Sequence, residues 1–226
     1  MKEKPLRIDL HTHSLLSDGA LLPSELLRRA TAMEFGALSI TDHVDWTNVT
    51  SVVESLLRLR EEQADDYSLT FLVGVEITHV APRQIAGLAR RARALGADLV
   101  VVHGETPVEP VAPGTNSAAV DCAEVDLLAH PGFLTLAEAR RAAERGCAIE
   151  ITARKGHSLT NGHVARVAME AGADLVVDTD SHEPGDLITL DFAERVALGA
   201  GLPPALAHAA TVTTPQALVR RLLERR

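Results

Sequence analysis

The sequence predicts an α/β architecture on a parallel sheet, closed or nearly closed into a barrel. Three observations point there. Short, near-continuous apolar runs alternate with helix-like stretches, the pattern of strands buried on both faces and covered by helices. Several helix-like stretches pass through Gly and a small residue straight into the next apolar run, at Phe35-Gly36-Ala37-Leu38, Leu95-Gly96-Ala97-Asp98, Arg145-Gly146-Cys147-Ala148 and Ala171-Gly172-Ala173-Asp174. Glycine accepts the left-handed conformation that ends a helix, so each join reads as a helix terminus followed at once by a strand. Seven such runs occur, enough to close a barrel, with an open doubly wound sheet as the alternative.

The expected strands are Leu6–His11, Ala37–His43, Thr70–Ile77, Asp98–His103, Val125–His130, Ala148–Thr152 and Asp174–Asp180. Between them, Pro23 to Phe35 has a helical apolar face, with Pro early, where a helix start tolerates it. Thr135-Leu136-Ala137-Glu138 has capping-box spacing and opens a helix that runs to Gly146. Gly104 to Ala118 contains Pro107, Pro110 and Pro113 and reads as a loop.

Length and composition bound the rest. A chain of 226 residues supports one sizeable core, read as a single domain over 1–226. At 46% hydrophobic and 23% charged residues, the balance is that of an ordinary globular protein. No apolar run approaches the roughly 18 residues of a membrane helix. The basic start Met1–Arg7 leads directly into a strand pattern without an apolar signal region, so a cytoplasmic location is expected. Cys122 and Cys147 are too few for a disulfide framework and are expected as buried, reduced thiols. A net charge of -9 argues against a long nucleic acid, and 3% aromatic residues leave no base-stacking platform. Neither excludes a small anion held by metal ions. Oligomeric state is not encoded in any of these patterns.

The polar residues concentrate where the apolar runs end. The first run ends in His11-Thr12-His13, with Asp18 on the loop beyond it in Ser17-Asp18-Gly19, and the second ends in Thr41-Asp42-His43. The third carries Glu76 near its end in Gly74-Val75-Glu76, the fourth ends at His103 and the fifth at His130, followed by Pro131-Gly132. The last run ends in Asp180-Ser181-His182. All strands of a parallel barrel open their C-terminal ends on one face, so residues remote in sequence converge there. In His11-Thr12-His13, alternate residues of an extended segment point the same way and both imidazoles can reach one ion. Histidine nitrogen mixed with carboxylate oxygen suits zinc, manganese or iron rather than calcium. Six of the ten histidines lie in these positions, with three carboxylates interleaved, which is a metal-site pattern rather than a scatter of polar loop residues.

In this order, the motifs His11-Thr-His13, Ser-Asp18-Gly, Thr-Asp-His43, Gly-Val-Glu76, Val-Val-His103-Gly, Ala-His130-Pro-Gly and Asp180-Ser-His182 closely resemble the signature of the PHP (polymerase and histidinol phosphatase) domain superfamily, from Arg7 to about Pro184. The resemblance implies a distorted, TIM-like (β/α)7 barrel. It also implies two or three divalent ions (zinc, manganese or iron) in a trinuclear site. His11, His13, Glu76 and Asp180 would hold the first. Glu76, bridging, with His103 and His130 would hold the second. Asp18, His43 and His182 would hold the third. Many family members have His where this chain has Asp18. The implied activity is a phosphoesterase acting on a small-molecule phosphomonoester, like a histidinol-phosphate phosphatase, with Glu76, Asp180 and His182 as the catalytic group.

Charge supports phosphate. Three divalent ions against Glu76, Asp18 and Asp180 leave about three positive charges, which a phosphomonoester dianion plus a hydroxide would neutralise. The expected chemistry is in-line displacement by a water bridging two ions, with the ions offsetting charge on the phosphoryl oxygens and a protonated His or Asp, or another ion, assisting the leaving alkoxide.

Arg154 and Lys155, after the sixth strand, are candidates for clamping phosphate, and His79 and His157, just past strand ends, for touching substrate or acting as an acid. A solvated turn or an ordinary polar loop explains each of these four as well. Glu105 is a candidate for orienting a ligand residue, and Trp46 and Phe133 for lining the pocket or merely packing. His163 and His208 lie in helix-like stretches and are expected to be structural. Three other readings compete. A nuclease or nucleotide phosphodiesterase is one, since PHP domains accompany DNA polymerases and Gly146–Arg154 resembles a segment of the PHP domain of family X polymerases. An amidohydrolase also begins with His-x-His, but usually adds a strand-end lysine or a lone Asp on the last strand. A silent partner-binding module would carry a degraded ligand set.

Overall fold

In the computed structural model, which describes residues 5–226, short-range sequence signals account for most of the elements. The strands are β1 (Arg7–Asp9), β2 (Phe35–Ile40), β3 (His43–Val44), β4 (Thr70–Ile77), β5 (Leu99–His103), β6 (Leu127–Ala129), β7 (Ala148–Thr152) and β8 (Leu175–Asp178). All pair in parallel in the order β1-β2-β4-β5-β6-β7-β8, with β3 a short continuation that also pairs with β4. The covering helices are α1 (Pro23–Ala32), α2 (Val49–Gln63), α3 (Pro82–Leu95), α4 (Thr115–Asp121), α5 (Leu136–Arg145), α6 (Asn161–Ala171) and α7 (Leu190–Gly199). The chain ends in α8 (Pro204–His208), a π-helical turn at Ala209–Thr213, and α9 (Thr214–Leu223).

Gly96, Gly146 and Gly172 cap α3, α5 and α6 in the left-handed conformation, with φ of 107°, 67° and 69°. The fourth join differs from the expectation. α1 ends at Ala32, the left-handed residue is Glu34 with φ 58°, and Gly36 already lies within β2. Thr135 caps α5 by accepting from the Glu138 N–H, and Glu138 returns a bond to the Thr135 N–H at 2.8 Å. Thr135→Ala is therefore expected to cost about 1 kcal/mol, read as a lower urea midpoint at unchanged slope.

The sheet is a nearly closed barrel of seven strands. Its seam, between β1 and β8, carries backbone pairing only past the strand ends. The His13 N–H donates to the Ser181 carbonyl at 2.8 Å and the Asp180 N–H to the His11 carbonyl at 2.9 Å. Lower down, carboxylates replace the ladder: Asp178 accepts from the Leu10 N–H at 2.8 Å and Asp9 from the Thr179 N–H at 3.1 Å. A layer of Ile8, Leu10, Ala37, Leu72, Leu99, Val101, Leu127, Ala129, Ala148 and Val176 forms one buried cluster, sealed by Leu218, Val219 and Leu222 of α9. Because side chains alternate along a strand, Glu76 falls on the same face of β4 as Leu72, and His103 on the same face of β5 as Leu99 and Val101. The interior is thus apolar below and polar at the C-terminal mouth.

The long second strand is broken. Asp42 accepts from the Ser14 N–H, the Ser14 hydroxyl and the Ser17 hydroxyl, each at 2.7 Å, and this anchoring interrupts β2 before β3. The loop after β5 is shorter than expected, since α4 begins at Thr115. Cys122 and Cys147 are both buried free thiols. Among the described residues no helix is long and apolar enough to cross a membrane. Part of the basic start, residues 1–4, lies outside the described residues.

Candidate metal centre

Five strand ends deliver the innermost candidate ligand atoms. His11, His13, Glu76, His103, His130 and Asp180 are all buried. The Nε2 atoms of His11 and His13 lie 3.1 Å apart. Asp180 Oδ1 is 3.2 Å from His13 Nε2, and Glu76 Oε1 is 3.3 Å from His11 Nε2. Toward solvent, Asp18 Oδ1 stands 3.1 Å from His182 Nε2 and 3.5 Å from His43 Nε2. Glu76 joins the groups: its Oε2 is 2.6 Å from His43 Nδ1, and its Oε1 is 3.6 Å from His130 Nε2. The candidate ligand atoms fall into four sets within 4.8 Å: His13, Asp18, His43 and His182; His11, His13 and Asp180; His11, Glu76 and His130; and His103, His130 and His157.

Two of these residues sit beyond the strands in strained backbone. His130 has φ 24° and Asp180 φ 51°, sparsely populated for residues other than glycine. Strain of this kind persists where surrounding structure over-determines it, as at ligand clamps. Behind the ligands, Glu150 Oε2 bonds His11 Nδ1 at 2.6 Å, directing Nε2 into the mouth. The Asp180 carbonyl holds His182 Nδ1 at 2.9 Å, with the same effect.

The residues fit divalent cations. His13 Nδ1, Glu76 Oε1, Asp180 Oδ1 and both ring nitrogens of His130 are buried with no hydrogen-bond partner. Leaving such atoms unmatched costs roughly 1–3 kcal/mol each, and a cation among them removes that cost. Nitrogen and carboxylate donors together suit transition-metal ions.

Protonation in the metal-free protein follows from the same packing. Burial opposes charge on His43, but Glu76 and Asp18 outweigh it and raise its pKa to about 9. His11 is raised against burial by Glu150, Glu76 and Asp180. Burial pushes His13 down to about 3 and His157 down to about 4. Glu76 and Asp180 are held well below the carboxylate range, because adjacent histidines outweigh their burial. The signs give two limbs. His43 and His11 bind protons more tightly folded than unfolded, so their stabilisation is complete below the ordinary value of 6.5 and is lost as pH rises through about 9. His13 and His157 resist protonation when folded, so stability also falls as pH drops below 6.5. The metal-free protein is expected to be most stable near pH 6.5. Thermal melts in chelator test this, and an unchanged Tm from pH 6.5 to 9 would contradict the His43–Glu76 pairing.

The PHP domain family model matches residues 9–110. An uncharacterized protein of Methanocaldococcus jannaschii is 43% identical over 218 residues, covering 96% of this chain and 100% of that one. The chain belongs to the PHP domain family. A 5'-3' exoribonuclease Rnm of Salmonella typhimurium is 38% identical over 72 residues, which make up 32% of this chain and 22% of that protein. Among solved structures, a Lactococcus lactis histidinol phosphate phosphatase complexed with zinc, L-histidinol and phosphate superposes with a TM-score of 0.56, at 16% identity, over 96% of this chain and 93% of that one. At that identity the match speaks to the fold, a TIM-like PHP barrel. PHP domains are metal-dependent hydrolases, and this member carries the His/Asp/Glu clusters such an enzyme needs.

All nine expected ligand residues line one mouth. The weaker candidates separate. Arg154 faces Asp186 at 3.3 Å and the Asp180 carboxylate at 3.8 Å, beside the mouth. Lys155 is exposed on the same loop. His79 stands at the rim, 3.4 Å from Glu109, and with Asp18, His43, Asp45, Thr47, Asn48, Thr78 and Glu109 it lines an open cavity of about 380 Å³. Glu105 does not orient a ligand residue: its carboxylate accepts from the Gly114 and Asn116 N–H groups and closes its own loop. Trp46 packs beside Gly87 of α3, and Phe133 meets His163 edge-on. His163 bonds the Leu134 carbonyl at 2.8 Å and His208 faces Glu194 on the surface, both structural.

Two acidic residues had no place in the sequence reading of the site. Glu150 was legible in principle, as a lone carboxylate inside the apolar run Ala148–Thr152. Glu109 lies in a Pro-rich loop with no periodicity to mark it.

Proposed function

We propose that this PHP domain is a phosphoesterase hydrolysing a small-molecule phosphomonoester, with two or three ions among His11, His13, Asp18, His43, Glu76, His103, His130, Asp180 and His182. The observation that carries the reading is Glu76. One fully buried carboxylate lies against His11, His43 and His130, so ions in adjacent groups would share it and lie close enough to bind one phosphoryl group. Ions bound there would supply Lewis acidity and lower the pKa of a bound water.

The chain's own residues supply the rest. Glu76 and Asp180 bring negative charge into the mouth and hold the donors at fixed spacing. Glu150 and the Asp180 carbonyl lock the His11 and His182 rings, so little reorganisation is needed at reaction. His182, at the solvent edge with Nε2 3.1 Å from Asp18, would with Asp18 and His43 hold an outer ion that offsets charge on a departing alkoxide. Arg154 flanks the mouth and offers planar donors to phosphate oxygens if it leaves Asp186. His79 and Lys155, on the rim, would meet the remainder of the substrate.

The test is metal content per chain beside a panel of histidinol phosphate, nucleoside monophosphates, 3′,5′-bisphosphates and short single strands. Two or three ions with turnover on a monoester support the proposal. Cleavage of strands alone would replace it with the nuclease reading, which the 72-residue likeness to an exoribonuclease favours and the net charge of -9 opposes.

A further inference from the structure

We infer that His157 and Glu109 complete the shell of the ion held by His103 and His130, so that this pocket binds metal through three histidines and a loop carboxylate beside the shared Glu76. The inference rests on the metal-dependent reading above and adds two ligands to it.

The two residues come from different loops that meet at the mouth. Glu109 follows β5 by six residues and His157 follows β7 by five. The loops touch where Gly156, with φ 93°, leaves its Cβ position 3.7 Å from the Val108 side chain. A residue other than glycine at 156 would be strained in that turn. His157 is buried and its ring stacks on His130 with centroids 4.3 Å apart, while His103 meets His130 edge-on at 4.5 Å.

Each ring presents one nitrogen inward. Thr106 Oγ1 lies 2.7 Å from His157 Nδ1, and the Gly104 carbonyl lies 3.2 Å from His103 Nδ1. Fixing the far nitrogen on a hydroxyl or carbonyl is the arrangement that orients metal-ligating histidine. The two Nε2 atoms then converge on Glu109, at 3.1 Å from His103 to Oε2 and 3.4 Å from His157 to Oε1. Donors bound to one ion at about 2.0–2.1 Å lie roughly 2.9–3.5 Å from one another, a range that includes both separations. His130 adds two buried ring nitrogens without partners. Surface ion pairing is the rival account of Glu109, but it explains neither the burial of His103 and His157 nor their oriented nitrogens.

A pocket this rich in imidazole should favour zinc or cobalt over manganese. The experiment measures zinc retained per chain against a graded chelator, and the cobalt(II) absorption of the same proteins, for wild type, His157→Ala, Glu109→Ala and His130→Ala. Glu109 lies on an exposed loop, so its variant tests the idea without threatening the fold. The expected result is that His157→Ala and Glu109→Ala each weaken one ion by at least about tenfold and change the cobalt spectrum, leaving the other ions in place. Unaltered retention and spectrum in both, with loss of an ion in His130→Ala, would overturn the inference and leave the metal-dependent reading standing. Absence of metal from wild type would overturn both.

Discussion

Glu76→Ala is expected to remove phosphoester hydrolysis, by at least about a thousandfold in kcat, while the barrel stays folded. Losing one preorganised group that offsets charge at the reacting centre commonly costs 10²- to 10³-fold, and Glu76 serves more than one group of donors at once. Its Oε1 lies 3.3 Å from His11 Nε2 and its Oε2 lies 2.6 Å from His43 Nδ1. Ions on either side would lose the carboxylate they share, so metal content should fall with activity. The backbone of β4 carries the fold, paired with β2 and β5 along Thr70–Ile77, and alanine leaves that pairing intact. Circular dichroism should be unchanged. Glu76→Gln keeps the shape and should fail equally, which separates lost charge from lost packing. Near-wild-type turnover in either variant would sink the shared-carboxylate centre.

Gly132→Ala is expected to be the most damaging single-methyl change near the site. Gly132 has φ 63°, and a Cβ there would lie 1.9 Å from the Glu105 carbonyl oxygen, 2.8 Å from its carbon and 3.3 Å from Thr106 Cα. Those atoms are backbone, so a loop must move. Left-handed strain of about 1–2 kcal/mol and overpacking of about 1–3 kcal/mol combine to roughly 2–5 kcal/mol. For a chain of this size each 1 kcal/mol lowers Tm by about 2–4 °C, giving a drop of roughly 5–20 °C. The displaced segment carries Thr106, which holds His157, and it begins next to His103. Metal retention should therefore fall along with Tm. Gly185→Ala is the control, since a Cβ there has no heavy atom within 4 Å and no such loss is expected. A Tm for Gly132→Ala within about 1 °C of wild type would show that the two loops are not packed as described.

Much of the architecture was legible in the chain because its causes are local. Gly96, Gly146 and Gly172 end helices through their own backbone freedom, and Thr135 and Glu138 cap a helix within three residues. The apolar runs report burial on both faces, and the candidate ligand residues mark the places where those runs end. Local signals misled at two joins. Ser14 and Ser17 hold Asp42 and break the second strand, and Glu34 rather than Gly36 takes the left-handed turn after α1. The residues His130 and Asp180 lie beyond the strands they were expected to end, each with positive φ, a conformation a β-strand does not accommodate.

The sequence by itself determined the alternation of parallel strands and helices, the strand ends where chemistry would gather, and the nine candidate ligand residues, because periodicity and capping act over a few residues and parallel strands share one open end. Only the tertiary structure decided how those residues group: that Glu76 touches four histidines from three strand ends, that Glu150 stands behind His11, that Asp9 and Asp178 close the seam, and that Glu109 and His157 meet over His103. These contacts join residues many positions apart, through side-chain direction and loop packing, which no local pattern encodes.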